Sequence, residues 1–208
     1  MTITVHHLNN SRSQRILWLL EELGADYTVT HYQRDAETNL APPELKEPHP
    51  LGKSPLIVDD GLRVAESGAI IQYICERHGG AGWLPETDTE DHVRHLEWMQ
   101  FGESSFFVPV MMKIMAGRLG EAAAPIMPRI DEQFADHVRF MEDGLSDSLH
   151  FVGDDWTAAD VMMSFPAEIA VMQGFAASCP KTVRFVEAVH ARPAWKRARD
   201  EAGPYFIW

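Results

Sequence analysis

LGKSPLIVDDGLRVAESGAIIQYI, residues 51–74, decides the fold. It runs through a Gly52-Lys53 turn into Ser54-Pro55, then two short apolar runs, Leu56-Ile57-Val58 and Leu62-Arg63-Val64, separated by Asp59-Asp60-Gly61. Asp-Gly between two such runs predicts a β-hairpin. Pro55 has no N–H to give to a central ladder, so it is placed at the start of its strand. A cis peptide, largely confined to X-Pro bonds, is one reason for a proline there, and it leaves the Ser54 backbone as an edge with which a peptide-like ligand can pair. Glu66-Ser67 then opens an apolar helix, whose N-terminal N–H groups and positive dipole end favour a carboxylate while Glu66 favours an ammonium. An edge that reads extended backbone, beside a site that reads a zwitterion, fits a short peptide with a free α-amino-acid end.

Working outward toward the N-terminus, Ile3 and Val5 alternate with Thr2 and Thr4 as a short strand ending at His6-His7-Leu8. Asn9 to Gln14 is a polar loop, and from Arg15 the spacing of Ile16, Leu17, Leu19, Leu20 and Leu23 predicts a helix stopped by Gly24. Tyr27 to Tyr32 reads as a second strand, parallel to the first through a right-handed crossover. Gln33 to Pro50 is loop, with a short helix from Pro43 to Lys46. The N-terminal part is therefore βαβ followed by ββα, the thioredoxin-like arrangement, over residues 1–80. Residues 81–88 form a Gly- and Pro-containing linker, and residues 89–208 carry no convincing strand. Helices are expected at about 89–116, 124–149, 157–173, 181–191 and 193–202, with Pro109 bending the first of them. The fold class is thus α/β plus all-α. Thr87-Asp88-Thr89-Glu90 and Thr157-Ala158-Ala159-Asp160 both have capping-box spacing.

Composition narrows the function. The 208 residues hold 18 basic and 31 acidic side chains, a net charge of −13, which disfavours nucleic acid and anionic membrane surfaces as partners. Cys75 and Cys179 lie in no metal or redox spacing and read as reduced core thiols of a cytoplasmic protein. The N-terminus reads directly as a strand, with no export signal, and no apolar run is long enough to span a bilayer. Gly52-Lys53-Ser54 has the end of a phosphate-binding loop, but Glu47 stands where the first glycine is required. His92 and His95 share a helix face without a third ligand, so no metal is expected.

Gly52-Lys53-Ser54-Pro55 with Glu66-Ser67 resembles the glutathione-binding half of the cytosolic glutathione transferases, and NNSRSQRILWLLEELG, residues 9–24, looks most like their serine-type members of bacteria and fungi. The resemblance implies that the backbone of Ser54, before Pro55, pairs with the cysteinyl part of glutathione. It also implies that Glu66 and Ser67 hold the γ-glutamyl end and that Lys53 meets the glycyl carboxylate, with His49 or Lys46 as substitutes for a second basic contact. The family usually carries a small apolar residue where Ser54 stands, but the expected contact is made by backbone. A free thiol has a pKa of about 8.5, and lowering it by two units takes roughly 2.7 kcal/mol, more than the ~0.3–1 kcal/mol of one exposed helix dipole. A second donor is needed. Ser11, four residues before Arg15, matches the catalytic serine of the resembled members; plain N-capping is its other reading, and Asn10 and then Ser13 are the next candidates. His6 and His7 stand where tyrosine-type members carry their tyrosine.

The electrophile pocket is expected under the first long helix at Phe106, Phe107, Met111, Met112 and Met115, with Phe165 and the tail Tyr205-Phe206-Ile207-Trp208 closing it, although each of these residues also suits a helix core. The resemblance thus implies a detoxification transferase that uses glutathione as co-substrate with no tightly bound cofactor, conjugates it to a hydrophobic electrophile or reduces with it, and assembles as a homodimer. A non-catalytic binding or assembly protein, or a glutathione-dependent isomerase, dehalogenase or peroxidase, is compatible with the same residues.

Overall fold

The computed structural model describes residues 2–203, which form two compact units. One takes the chain through Leu84 together with the stretch from Ala188 onward; the other takes Pro85–Glu187. By its contacts the C-terminal stretch therefore belongs with the first unit rather than with the helices that precede it.

The first unit is built on a four-stranded sheet in the order β2, β1, β3, β4, with β1 at Ile3–Leu8, β2 at Tyr27–Tyr32, β3 at Leu56–Asp59 and β4 at Leu62–Ala65. β1 and β2 are parallel, paired from Ile3↔Tyr27 to Leu8↔Tyr32, and helix α1, Ser13–Leu23, supplies the crossover. β3 runs antiparallel to β1 and β4 antiparallel to β3. Asp60 and Gly61 hold φ of 48° and 82°, the pair of positive values that a two-residue hairpin turn of the favoured twist needs. The Ser54–Pro55 peptide is cis. Helix α2, Ser67–Arg77, packs on β3, β4 and α1.

α1 starts two residues before Arg15, and Ser13 through Leu20 are buried without interruption. An amphipathic surface helix would leave one face wet. Here α8, Pro193–Ala202, lies against α1, and Glu22 on α1 accepts both the Trp18 indole N–H at 2.7 Å and the Arg192 guanidinium, whose Nη2 is 2.7 Å from Oε2.

The second unit is helical: among the described residues no strand follows Ala65. Helix α3, Glu90–Gln100, is capped by Thr89, whose hydroxyl accepts the His92 N–H at 3.1 Å, two residues beyond the Thr87 that capping-box spacing singles out. The single long helix expected over 89–116 is divided by a π-helical turn at Phe101–Ser105, after which α4 runs from Phe107 to Gly117. Pro109 consequently falls in the first turn of α4, where a missing N–H is tolerated, and the wide turn takes up the break. α5 is Met127–Gly144, α6 Ala158–Met172 and α7 Pro180–Ala191. α6 is the buried centre of this unit, with every residue from Ala158 to Ala170 buried. Its start is held by Asp160, whose carboxylate accepts the Thr157 N–H at 2.7 Å and the Phe151 N–H at 2.9 Å. Tyr205, Phe206, Ile207 and Trp208 lie outside the described residues. No helix among the described residues is long and apolar enough to cross a membrane.

Candidate functional site

Strand register brings three segments together. Leu56 pairs with both Ala65 and His6, so Ser54-Pro55, which precede Leu56, Glu66-Ser67, which follow Ala65, and the loop after His7-Leu8 all leave the sheet at the same end. The sequence scatters these residues over nearly sixty positions, and the antiparallel pairings collect them.

Ser11 is buried, and its Oγ lies 2.7 Å from Ser13 Oγ and 3.3 Å from Ser54 Oγ. It accepts the Ser13 N–H at 3.4 Å, a long bond for a cap. Ser13 Oγ is in turn 2.8 Å from His7 Nδ1. Ser54 uses its side chain as well as its backbone: the hydroxyl donates to the His6 carbonyl at 2.9 Å and accepts the Leu8 N–H at 3.2 Å. The departure from a small apolar residue at this position is therefore a tie between the segment before Pro55 and the end of β1. His7 and Ser13 are the parts of this cluster that sequence reasoning weighted least; a serine two residues after Ser11 and a histidine six before Ser13 carry no spacing signal.

Asn10 stands in the left-handed region, φ 52°, with its carbonyl accepting Arg34 Nη2 at 3.3 Å. Arg34 also gives its backbone N–H to Asn9 Oδ1 at 2.7 Å and its Nε to the Asn9 carbonyl at 3.1 Å, so one residue at the end of β2 braces the whole loop. Nothing in the sequence announces a pairing across 25 positions.

At the mouth of α2, Glu66 is exposed and holds φ 70°, a backbone region that costs a non-glycine residue about 1 kcal/mol or more and that gathers at ligand sites. Ser67 is 1% exposed, and its Oγ has no hydrogen-bond partner among the described residues. A buried hydroxyl at a helix N-terminus normally finds a partner. Lys53 is exposed one residue before Ser54. Gly52 holds φ 56°, and a Cβ there would come within 2.9 Å of Lys46 Cγ, which places the Lys46 stem across the turn that presents Lys53.

Burial and, second, the neighbouring His31 pull the His7 imidazole down to about 4. His6 is also lowered, by burial first and then by the charge of Arg63. Burial pushes the Cys75 thiol up to about 12 and raises Cys179 as well, so neither cysteine has a reactive thiolate near neutral pH.

In the helical unit the six expected pocket residues before the tail divide. Phe106 is fully buried, its ring 6.1, 5.9 and 5.8 Å from those of Phe101, Phe107 and Phe134. Phe107 and Phe165 are buried and stacked at 6.1 Å. Met111 and Met115, with Met112, are exposed along α4. The aromatic members thus form core, and the methionines form an open apolar face. No group of three or more His, Cys, Asp or Glu side chains is arranged to hold a metal ion among the described residues.

Comparison with known proteins agrees with this geometry. Residues 1–76 match the family described as glutathione S-transferase, N-terminal domain. Glutathione S-transferase 3 of Schizosaccharomyces pombe is 32% identical over 96% of this chain and 87% of its own length. A glutathione S-transferase structure from Actinobacillus pleuropneumoniae superposes with a TM-score of 0.86 at 33% identity, covering 96% of this chain and 92% of that one. A sphingomonad glutathione S-transferase solved with glutathione has the same fold, with a TM-score of 0.78 at 22% identity over 96% of this chain and 98% of that one. With relatives more than 30% identical to it matched over nearly the whole length of both chains, this chain belongs to the glutathione S-transferase family.

Proposed function

We propose that the protein binds glutathione along the Ser54-Pro55 edge and stabilises its thiolate at Ser11 for attack on a hydrophobic electrophile. The observation that carries this reading is the convergence of Ser11, Ser54 and the unpartnered Ser67 hydroxyl at one end of the sheet. Ser54 offers its backbone to the cysteinyl residue, Ser67 and the α2 N-terminus receive the α-carboxylate, and exposed Glu66 receives the ammonium. Lys53 supplies the cation for the glycyl carboxylate, which an acidic chain must place locally because its overall field repels the tripeptide. Ser11 adds a hydroxyl donor to the positive end of α1, and the two together approach the roughly 2.7 kcal/mol needed to shift the thiol by two units. Asn10 is the other donor of this loop. The Met111, Met112 and Met115 face of α4 is assigned to the electrophile, since flexible thioethers adapt to varied apolar shapes.

Calorimetric titration with glutathione, followed by ultraviolet titration of the bound thiol, tests this reading. Ser11→Ala should keep the affinity within a few-fold and raise the bound thiol pKa. An unchanged thiolate titration moves the donor role to Asn10, and a wild-type protein that gives no saturable heat with millimolar glutathione removes the reading altogether. Aryl halides, hydroperoxides and disulfides assayed in parallel separate conjugation from reduction.

A further inference from the structure

Arg34, two residues beyond the end of β2, donates four hydrogen bonds among the described residues, each to an uncharged oxygen. Its backbone N–H reaches Asn9 Oδ1 at 2.7 Å. Along one edge of the guanidinium, Nε reaches the Asn9 carbonyl at 3.1 Å and Nη2 reaches the Asn10 carbonyl at 3.3 Å. The third nitrogen, Nη1, reaches the Asn39 carbonyl at 3.1 Å. Asn39 belongs to a turn closed on itself: its N–H donates to the Asp35 carbonyl at 2.9 Å, and the Asp35 N–H donates to the Leu40 carbonyl at 3.0 Å. The guanidinium plane is therefore anchored from the far side while its near edge grips two successive carbonyls.

A peptide unit is planar, and its N–H points away from its C=O. The Asn9 carbonyl thus fixes the plane that enters Asn10, and the Asn10 carbonyl fixes the plane that leaves it toward Ser11. The relative orientation of those two planes is set by the φ and ψ of Asn10. One rigid fork on both carbonyls therefore determines that pair of angles, and Asn10 is held at φ 52°, a left-handed conformation that a non-glycine residue adopts at a cost. The direction of the chain into Ser11 follows, and with it the place of Ser11 Oγ, 3.3 Å from Ser54 Oγ and 2.7 Å from Ser13 Oγ. We infer that Arg34 is a positioning residue for the thiolate donor: by clamping both peptide planes around Asn10, it holds the Ser11 hydroxyl at the place where the thiol of glutathione is received. This rests on the functional reading above. The action is geometric, because a hydroxyl displaced by about 1 Å no longer makes a good bond to sulfur. A lysine keeps the charge, but an ammonium on a flexible stem does not fix the angle between two carbonyls.

Arg34→Lys separates geometry from charge, and Arg34→Gln removes both the charge and the fork. Ultraviolet titration of glutathione bound to each full-length variant should show a thiol pKa about one unit higher than in the wild type, roughly tenfold less thiolate below that pKa. The Kd for glutathione should change by less than about threefold, since the contacts assigned to Ser54, Glu66, Ser67 and Lys53 do not depend on this loop. Arg34→Lys combined with Ser11→Ala should go no higher than Ser11→Ala alone, because both act through one hydroxyl. A wild-type pKa in Arg34→Lys, with glutathione still bound, shows that the fork is dispensable and overturns the inference while leaving the functional reading intact. Loss of saturable binding in both variants also overturns it, by placing the guanidinium on the ligand. An unchanged pKa in Ser11→Ala removes instead the functional reading, and the inference with it. Backbone carbon-13 shifts of Asn10, which report φ and ψ, give a second readout in the ligand-free protein. A left-handed Asn10 is expected in the wild type and an averaged one in Arg34→Lys. An Asn10 that is not left-handed in the wild type, or that stays left-handed in Arg34→Lys, overturns the inference whatever glutathione does.

Discussion

Ser54 Oγ stands 3.3 Å from Ser11 Oγ while donating to the His6 carbonyl and accepting the Leu8 N–H, so the residue before the cis proline is tied at once to β1 and to the loop of the proposed thiolate donor. A small apolar residue at this position would make none of these side-chain bonds. The buried Leu8 N–H depends on this hydroxyl, and an unsatisfied buried N–H costs about 1–3 kcal/mol. Ser54→Ala should therefore lower the unfolding free energy in urea by about that amount. The affinity for glutathione should change less, because the contact assigned to Ser54 is made by backbone. A stability unchanged from the wild type would mean that the Leu8 N–H finds another partner.

His7 links stability to pH. Its imidazole is held near 4 in the fold against an ordinary value of 6.5, so between those values the unfolded chain binds a proton that the folded chain refuses. The folded state therefore has its full stability from this group above pH 6.5 and loses it as pH falls toward 4, by an amount on the order of 3 kcal/mol. Chemical denaturation of the wild type and of His7→Leu at a series of pH values should give curves that converge with acidification. Parallel curves through that window would show that His7 is protonated in the fold.

Most of the fold could be read in the sequence because it rests on local chemistry. Asp-Gly between two apolar runs marked a hairpin and Thr157 with Asp160 marked a helix start, and both are observed; Pro55, expected as the first residue of its strand, stands immediately before β3. What the sequence hid is what depends on distant partners. The continuous burial of α1 comes from α8, more than 160 residues away along the chain, as the Glu22–Arg192 pair with its separation of 170 shows. The division of the long helix falls at Phe101–Ser105, whose Gly102 and two serines read as ordinary helix residues, while the visible signal, Pro109, lies a turn later. In the site, Ser11, Ser54, Glu66 and Ser67 were nameable because residue type and order carry them. The His7–Ser13 link and the Arg34 brace were not, since hydrogen bonds across 6 and 25 positions between common residue types leave no pattern.

Asp160 holds the start of the central helix of the second unit. It is fully buried, and its two oxygens satisfy the N–H groups of Phe151 and Thr157 and, at 3.0 Å, the Thr157 hydroxyl. Asp160→Ala leaves two of these backbone donors without their partner, for an expected loss of about 2–4 kcal/mol in unfolding free energy. Asp160→Asn keeps one carbonyl oxygen, so it should lose less than the alanine variant. Equal losses for the two would mean that the charge, rather than the count of hydrogen bonds, carries the effect.

Ser67 separates a ligand role from a structural one. Its Oγ is 1% exposed and has no hydrogen-bond partner among the described residues, so Ser67→Ala removes a buried polar atom without breaking a hydrogen bond to any of them. Deleting such a group is close to neutral or slightly stabilising, and the melting temperature of the ligand-free variant should be unchanged or raised. If the hydroxyl donates to the α-carboxylate of glutathione, the complex loses a hydrogen bond to a charged group, worth about 1.5–3 kcal/mol, and Kd should rise by about 10- to 100-fold. The wild-type gain in melting temperature at saturating glutathione should shrink accordingly, because that gain follows ligand affinity. Raised stability together with weakened binding is a combination that damage to the fold does not produce. A variant that binds glutathione as tightly as the wild type would exclude Ser67 from the site, and the carboxylate would then be left to the backbone N–H groups of α2.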